Sequence, residues 1–306
     1  MGNARTALLA WLAARLAGGR FVLRVEDLDR ARVLPDAESE LRRDLAWLGL
    51  DWDEGPDVGG PYAPYRQSER GALYRQIVDD LIHRDLAFPC ACSRAEIARA
   101  ASAPHPEDEE GPAYPGTCRA LSPAAVAARA AEQGRMPAIR FRASAFGDET
   151  FAFVDRVRGG VDPFANAGLD DFVLWRGDGT ASYQLAVVVD DAAMAVSEIV
   201  RGDDLLRSTP RQLALYRAMG LKAPTFAHVP LLLTPTGDRL AKRTRPASVA
   251  STRDAGVAAN VVVGRLAASA GLCAEGEAVS ADDLRRELGA VDVLWARLGR
   301  TPAVWW

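Results

Sequence analysis

Lysine is nearly missing from this chain: of 37 basic residues only Lys222 and Lys242 are lysines, a balance that records base composition more than function. Long apolar runs are missing as well. No segment reaches the ~20 uninterrupted apolar residues of a membrane span. Leu8 to Leu16 is shorter and is broken by Arg15, and it lacks the basic start and small-residue cleavage site of a secretory signal. A cytoplasmic protein with no membrane partner is therefore expected. Positive net charge is absent too. A formal charge of −4 leaves no general nucleic-acid footprint, so a polyanionic partner must meet a local basic patch. Cysteine is scarce. Three of the four, Cys90, Cys92 and Cys118, cluster while Cys273 stands apart, which argues for a metal site in a reducing compartment and against a disulfide framework. No internal repeat or low-complexity tract occurs. What remains is ordinary: 306 residues, 49% apolar and 25% charged, enough for one large α/β domain with insertions or for two domains.

The stretch from Asp178 to Arg211 organises the rest. Tyr183 to Val189 is apolar and rich in β-branched residues, and Asp190-Asp191 closes it. Val196 to Val200 is a second such run, closed by Arg201-Gly202-Asp203-Asp204. Runs of this length between turn residues predict strands buried on both faces. Ligands of open α/β sheets bind beyond the carboxyl ends of the strands, which makes Arg201 a candidate for holding a carboxylate by a two-point fork. An ordinary strand-end ion pair with Asp203 or Asp204 is the competing reading.

From the N-terminus, an apolar stripe predicts a helix over residues 4–17, capped by Asn3 and ended by Gly18-Gly19. Phe21 to Val25 then reads as a strand that delivers Glu26-Asp27 to its carboxyl end. Helix, glycine turn and strand make the second half of a β-α-β unit, so an opening strand is expected upstream of Met1. Helices are predicted over Pro35 to Leu48, Ser68 to Arg84, Ser122 to Glu132, from Val257 through Leu266, and over roughly 280–298. Ile139 to Arg142 and Thr150 to Val157 alternate as antiparallel strands do, and Pro104 to Pro112 is acidic and loop-like.

Two further clusters carry chemistry. Cys90-Ala91-Cys92 and Cys118 suggest zinc, which takes four tetrahedral ligands from thiolate and imidazole. Unliganded thiols are the alternative. His105 and Tyr114 are the local candidates for the fourth ligand, and general frequency favours His105, because a phenol must be deprotonated by the metal. After the apolar run Val229 to Leu233, the loop from Thr236 to Arg245 carries Arg239, Lys242, Arg243 and Arg245. These could gather around a phosphate chain, and a solvated basic loop is the default reading.

Together these pieces resemble one family. Gly2-Asn3 at a helix start, LRVEDLDR, the Cys-x-Cys cluster, DGTASYQLAVVVDD, VRGDDLLRSTPRQ, HVPLLL and RLAKR occur in the order and spacing of the catalytic half of class I glutamyl-tRNA synthetases. The shorter paralogues within that family, which glutamylate queuosine in the anticodon of tRNA(Asp), are the nearer match. The resemblance covers most of residues 2–250 and implies a Rossmann-type class I catalytic domain whose first strand is missing. Its first half would span residues 1–89, a zinc-binding insertion residues 90–170, its second half residues 171–250, and a helical region residues 251–306. It makes Tyr114, in Tyr114-Pro-Gly-Thr-Cys118, the preferred fourth zinc ligand over His105. It implies that Glu26 accepts the α-ammonium of glutamate, that Tyr183 and Arg201 line the same pocket, and that Arg201 pairs with a carboxylate. Gly2 and Asn3 survive from the ATP-binding turn. Arg239, Lys242 and Arg243 stand where the family has its KMSKS-type loop, Lys242 matching the lysine that stabilises the pyrophosphate leaving group. His228 to Leu233 would place backbone groups near the adenine.

The implied reaction is attack of a glutamate carboxylate on the α-phosphate of ATP with magnesium, then transfer to a hydroxyl on tRNA(Asp). It needs no covalent enzyme intermediate. A monomer is expected. The departure lies at the N-terminus, where the family carries an Arg, a Ser-containing turn and the leading His of its HIGH motif. Without them the chain should be a weak enzyme or none. The alternatives are a discriminating glutamyl-tRNA synthetase without its C-terminal half, and a catalytically weak tRNA- or zinc-binding remnant.

Overall fold

The computed structural model describes residues 1–29, 33–100, 114–147, 149, 151–161, 169–233, 248–298 and 303–304. Helix α1 (Gly2–Leu16) opens the chain. Its N-cap is Met1, whose carbonyl accepts the Arg5 amide at 2.9 Å, so Asn3 lies inside the first turn and does not cap it. Gly18 ends the helix region with φ +65°, a conformation that glycine adopts without the Cβ penalty. Residues 21–25 run extended but form no continuous ladder. Val22 bridges Glu54 and Val25 bridges Arg66, both in parallel, because the two partner segments are separate pieces of one long loop.

Then follow α2 (Ala37–Trp47), a 3-10 turn (Gln67–Glu69) and α3 (Gly71–His83), which buries Tyr74, Val78 and Leu81. Next come β1 (Ala87–Cys90), α4 (Arg94–Ala100), α5 (Pro123–Glu132) with Ser122 as its cap, and β2 (Ala138–Phe141). They are followed by β3 (Phe153–Asp155), β4 (Gly159–Val161), β5 (Val173–Trp175), α6 (Tyr183–Ala193) and β6 (Glu198–Gly202). After a 3-10 segment (Asp203–Ser208) come α7 (Thr209–Ala218), β7 (Thr225–Val229) and β8 (Leu232–Leu233). Helices α8 (Val249–Asp254), α9 (Ala259–Ala268), α10 (Ala281–Leu288) and α11 (Val291–Arg297) and strand β9 (Ala303–Val304) complete the chain.

Strands β1, β2 and β5 form an antiparallel sheet. A second sheet has the order β4-β3-β7-β6, in which β3–β7 and β7–β6 are parallel and β3–β4 antiparallel. The expected strands around 139–142 and 150–157 thus enter different sheets, and the second of them also pairs in parallel. β6, α7 and β7 make a βαβ unit.

The expected strand Tyr183 to Val189 is a helix. Ser182 accepts the Leu185 amide at 3.3 Å and starts α6. Every residue from Gln184 to Asp191 is buried, so the helix has no polar face to print a 3.6-residue period on the sequence. A short apolar run without periodicity cannot be told from a buried strand, and here packing overrode the β-branched propensity.

Three clusters of buried residues result. One joins α1 to β6, β7 and the C-terminal helices through Leu8, Leu12, Val229, Val263 and Leu284. A second joins α3, α6 and α7 to the antiparallel sheet through Tyr74, Phe141, Leu174, Leu185 and Leu215. The third is small and surrounds the cysteines. No described helix is long and apolar enough to cross a membrane.

Candidate active site and cysteine centre

The βαβ unit fixes the first centre. Arg201, next to last in β6, is the register partner of His228 in β7, and Asp155 ends β3 on the far side of β7. Acid, imidazole and guanidinium therefore stand on three neighbouring strands. Asp155 accepts the His228 Nδ1 hydrogen bond at 2.7 Å and the His228 backbone N–H at 3.0 Å. It also accepts the amides of Val157 and Arg158, each at 2.8 Å. Arg201 donates from Nε to His228 Nε2 at 3.0 Å and from a terminal nitrogen to Thr209 Oγ1 at 2.8 Å. All four residues are buried.

Burial pushes the His228 imidazole below its ordinary pKa in spite of Asp155. Burial also raises the Asp155 carboxyl, but its bonds to His228 and the two amides outweigh this and hold it below the usual range. Burial lowers Arg201 too, against the pull of Tyr183 and Asp191. The competing reading, an ion pair of Arg201 with Asp203 or Asp204, is not seen among the described residues, and Asp203 pairs with Arg158.

Tyr183 opens α6 and lies close enough to Arg201 for each side chain to act on the other's ionisation. Its hydroxyl is desolvated enough to raise its pKa although the residue is 38% exposed, and Arg201, Glu26, Asp191 and Arg24 all act on it. Glu26, Tyr183 and Arg201 are thus brought into one neighbourhood. Glu26 accepts from Arg24 at 3.0 Å, and Arg24 donates to Asp191 at 2.6 Å. The adjacent Asp190 is saturated by Arg70 Nε at 2.6 Å, Tyr74 Oη at 2.7 Å and Gln67 Nε2 at 2.9 Å. Tyr216, on α7, has a buried hydroxyl with no hydrogen-bond partner among the described residues, in the field of Asp191, Arg24 and Arg201.

Arg24, Asp155, Tyr216 and the His228 side chain escaped the sequence reading, and Asp191 entered it only as a turn residue. Only Arg24 left a local signal: it lies two residues before Glu26 on an extended segment, hence on the same face. Gly2 and Asn3 begin α1, whose first turn is tied to the end of β7 by Arg5 Nη1 donating to the Pro230 carbonyl at 2.7 Å. The first amides of a helix have no intrahelical acceptors. Arg239, Lys242, Arg243 and His105 lie outside the described residues.

The second centre is local. The Cys90, Cys92 and Cys118 sulfurs lie within 4.8 Å of one another. The Tyr114 hydroxyl is 3.4 Å from Cys90 Sγ and 3.8 Å from Cys92 Sγ, and Cys92 and Cys118 Sγ are 3.6 Å apart. Zinc–sulfur bonds of ~2.3 Å in a tetrahedron put ligand atoms about 3.5–3.8 Å apart, so this donor set fits zinc. Burial opposes ionisation of Cys90, but the Tyr114 and Cys92 hydrogen bonds and nearby Arg140 outweigh it and lower its pKa. Burial and the Cys90 charge push Cys92 up to about 11. Arg140 lies 4.1 Å above the Tyr114 ring. A cavity of about 300 Å³ opens beside Cys92, with Glu96, Arg99 and Arg129 in its wall, away from the strand-end site.

Comparison with known proteins shows the family. Residues 1–276 match the family described as tRNA synthetases class I (E and Q), catalytic domain. The glutamyl-Q tRNA(Asp) synthetase of Symbiobacterium thermophilum is 54% identical over 284 residues, covering 93% of this chain and 86% of that one. The protein of the same name from Nitratidesulfovibrio vulgaris is 49% identical over 272 residues, covering 89% and 82%. Among solved structures, a glutamate-tRNA synthetase from Elizabethkingia anophelis superposes with a TM-score of 0.81 at 30% identity, over 100% of this chain and 65% of that one.

Proposed function

Because the chain belongs to the class I tRNA synthetases for glutamate and glutamine, we propose that it activates L-glutamate with ATP and transfers the glutamyl group to queuosine in the anticodon of tRNA(Asp). One observation carries this reading at the level of residues: Arg201 is a buried cation with no carboxylate partner among the described residues, next to Tyr183 and near Glu26. A buried charge left unpaired is costly, and the carboxylate of a small anionic ligand would complete it. Glu26, still 41% exposed at its side chain, is placed to accept an ammonium group. Glutamate carries both groups.

The chemistry needs little beyond positioning. Arg201 and Tyr183 hold the amino acid while the free amides of the first turn of α1 offer donors to the anionic nucleotide. Magnesium arriving with ATP offsets phosphate charge. Attack of the glutamate carboxylate on the α-phosphate gives glutamyl-adenylate and pyrophosphate, and Lys242 with Arg239 and Arg243 is assigned to the leaving group through the family resemblance. The queuosine hydroxyl then attacks the acyl carbon and releases AMP. Cys90, Cys92, Tyr114 and Cys118 would hold a zinc ion that fixes the fold around β1, α4 and α5 and takes no part in the reaction.

The test is glutamate-dependent ATP–pyrophosphate exchange without tRNA, followed by glutamylation of queuosine-containing tRNA(Asp). Exchange without tRNA and an ester that survives removal of the 3′ terminus are expected. Exchange that requires tRNA(Glu), with the ester on the 3′ ribose, would instead identify a discriminating glutamyl-tRNA synthetase.

A further inference from the structure

Arg201 is buried and held at two points, yet no acid touches it among the described residues. The group that does touch its Nε is an imidazole. An arginine Nε–H can only donate, so His228 Nε2 must present a lone pair. The proton of the neutral ring therefore sits on Nδ1, where Asp155 accepts it at 2.7 Å. Asp155 is itself immobilised by three backbone amides, those of Val157, Arg158 and His228. Thr209 fixes a second point of the guanidinium at 2.8 Å and stands 3.1 Å from the same imidazole nitrogen.

We propose that Asp155 and His228 form a positioning relay which holds Arg201 from behind, in one orientation, without neutralising it. A carboxylate in direct contact with Arg201 would hold it equally well and would cancel the charge that the ligand needs. The neutral ring keeps Asp155 one residue away from the guanidinium, so the side of the fork beside Tyr183 meets no acid among the described residues and can take an incoming carboxylate. His228 and Asp155 are positioning residues and do not touch substrate. The relay spans three adjacent strands, β3, β7 and β6, so its geometry is set by the sheet register. This inference rests on the reading of Arg201 as the glutamate-binding cation.

Nitrogen-15 NMR of histidine-labelled full-length protein reads the tautomer directly. At neutral pH a buried, neutral ring protonated at Nδ1 is expected for His228. A proton on Nε2, or on both nitrogens, would overturn the relay. In the exchange assay, His228→Phe removes the acceptor and should raise the glutamate KM about tenfold or more while the ATP KM moves less than about twofold. His228→Gln, whose amide oxygen can reach the Nε2 position, should restore the glutamate KM to within about threefold. Asp155→Asn can donate to Nδ1 and so turn the ring over to its Nε2–H form, setting donor against donor at Arg201. A tautomer change together with a selective rise in glutamate KM is expected. Equal effects on both KM values, or none, in folded variants would sink the relay. If the Phe variant does not fold, the tautomer of the unaltered chain and the Gln variant decide. Arg201→Ala separates the two levels of the argument. If it leaves the glutamate KM unchanged, the reading of the site fails. If it raises that KM and His228→Phe does not, only the relay fails.

Discussion

The cysteine centre and the strand-end site are built by opposite strategies. Cys90, Cys92, Tyr114 and Cys118 come from one stretch of chain and sit on their own small core of Phe88, Ile97, Val126 and Ala130. Glu26, Asp155, Tyr183, Arg201 and His228 come from across the whole chain and meet only because β3, β7 and β6 lie side by side with α6 beside them. The charges are opposed as well. The first centre offers sulfur lone pairs to a cation; the second offers an anion a guanidinium that meets no acid among the described residues. A local centre can therefore be lost alone, whereas a distributed one stands only as firmly as the core that assembles it.

The largest expected effect tests the local half of that contrast. Cys92→Ser should take the zinc content from about one per chain to near zero, since a structural site needs its full ligand set. Hydrogen exchange should then speed up across residues 87–100 and 114–132 while the amides of β6 and β7 stay protected. A native protein that never carried metal would refute the zinc assignment. Lost protection in β6 and β7 would break the contrast itself, because the two centres would then unfold as one.

The distributed half rests on Asp190, which is fully buried and accepts from Arg70, Tyr74 and Gln67, joining α6 to α3 and the turn before it. Asp190→Asn leaves the Arg70 charge buried without its acid. The cost should be about 3–5 kcal/mol, read as a fall in Tm of roughly 10 °C. Unlike Cys92→Ser, it should loosen both larger cores together. A loss confined to α3 would show that the site is assembled from more independent parts than the buried network suggests.

The same contrast explains what could be read in advance. The cysteine cluster was legible because its spacing is short and thiols have few other uses at that density, and the hydroxyl of Tyr114, preferred as fourth ligand through the resemblance, lies 3.4 Å from Cys90 Sγ. Arg201 and Glu26 were legible as polar residues closing extended segments. Asp155 and the His228 side chain were not. Nothing near Asp155 in sequence marks it, and its role appears only when β3 pairs with β7. Asp190 and Asp191 were noticed as the end of an apolar run, but as turn residues after a strand. They are buried partners on a helix, and that error followed wholly from the conformation assigned to residues 183–189.

That conformation hangs on Ser182, and the smallest effect tests it. The Ser182 hydroxyl accepts the Leu185 amide at 3.3 Å and satisfies one of the donors that a helix start leaves open. Ser182→Ala should cost about 1 kcal/mol, a fall in Tm of roughly 2–4 °C. Its more telling consequence is positional. Tyr183 is the first residue of α6, so fraying of that turn moves the phenol beside Arg201 before it disturbs the buried residues from Gln184 onward. The variant should therefore raise the glutamate KM by a few-fold at nearly native stability, and leave the zinc content untouched. Loss of stability with an unchanged glutamate KM would mean that Tyr183 is held by its neighbours and not by the cap. The strand-end site would then be less dependent on the exact start of α6 than its chain-wide assembly implies.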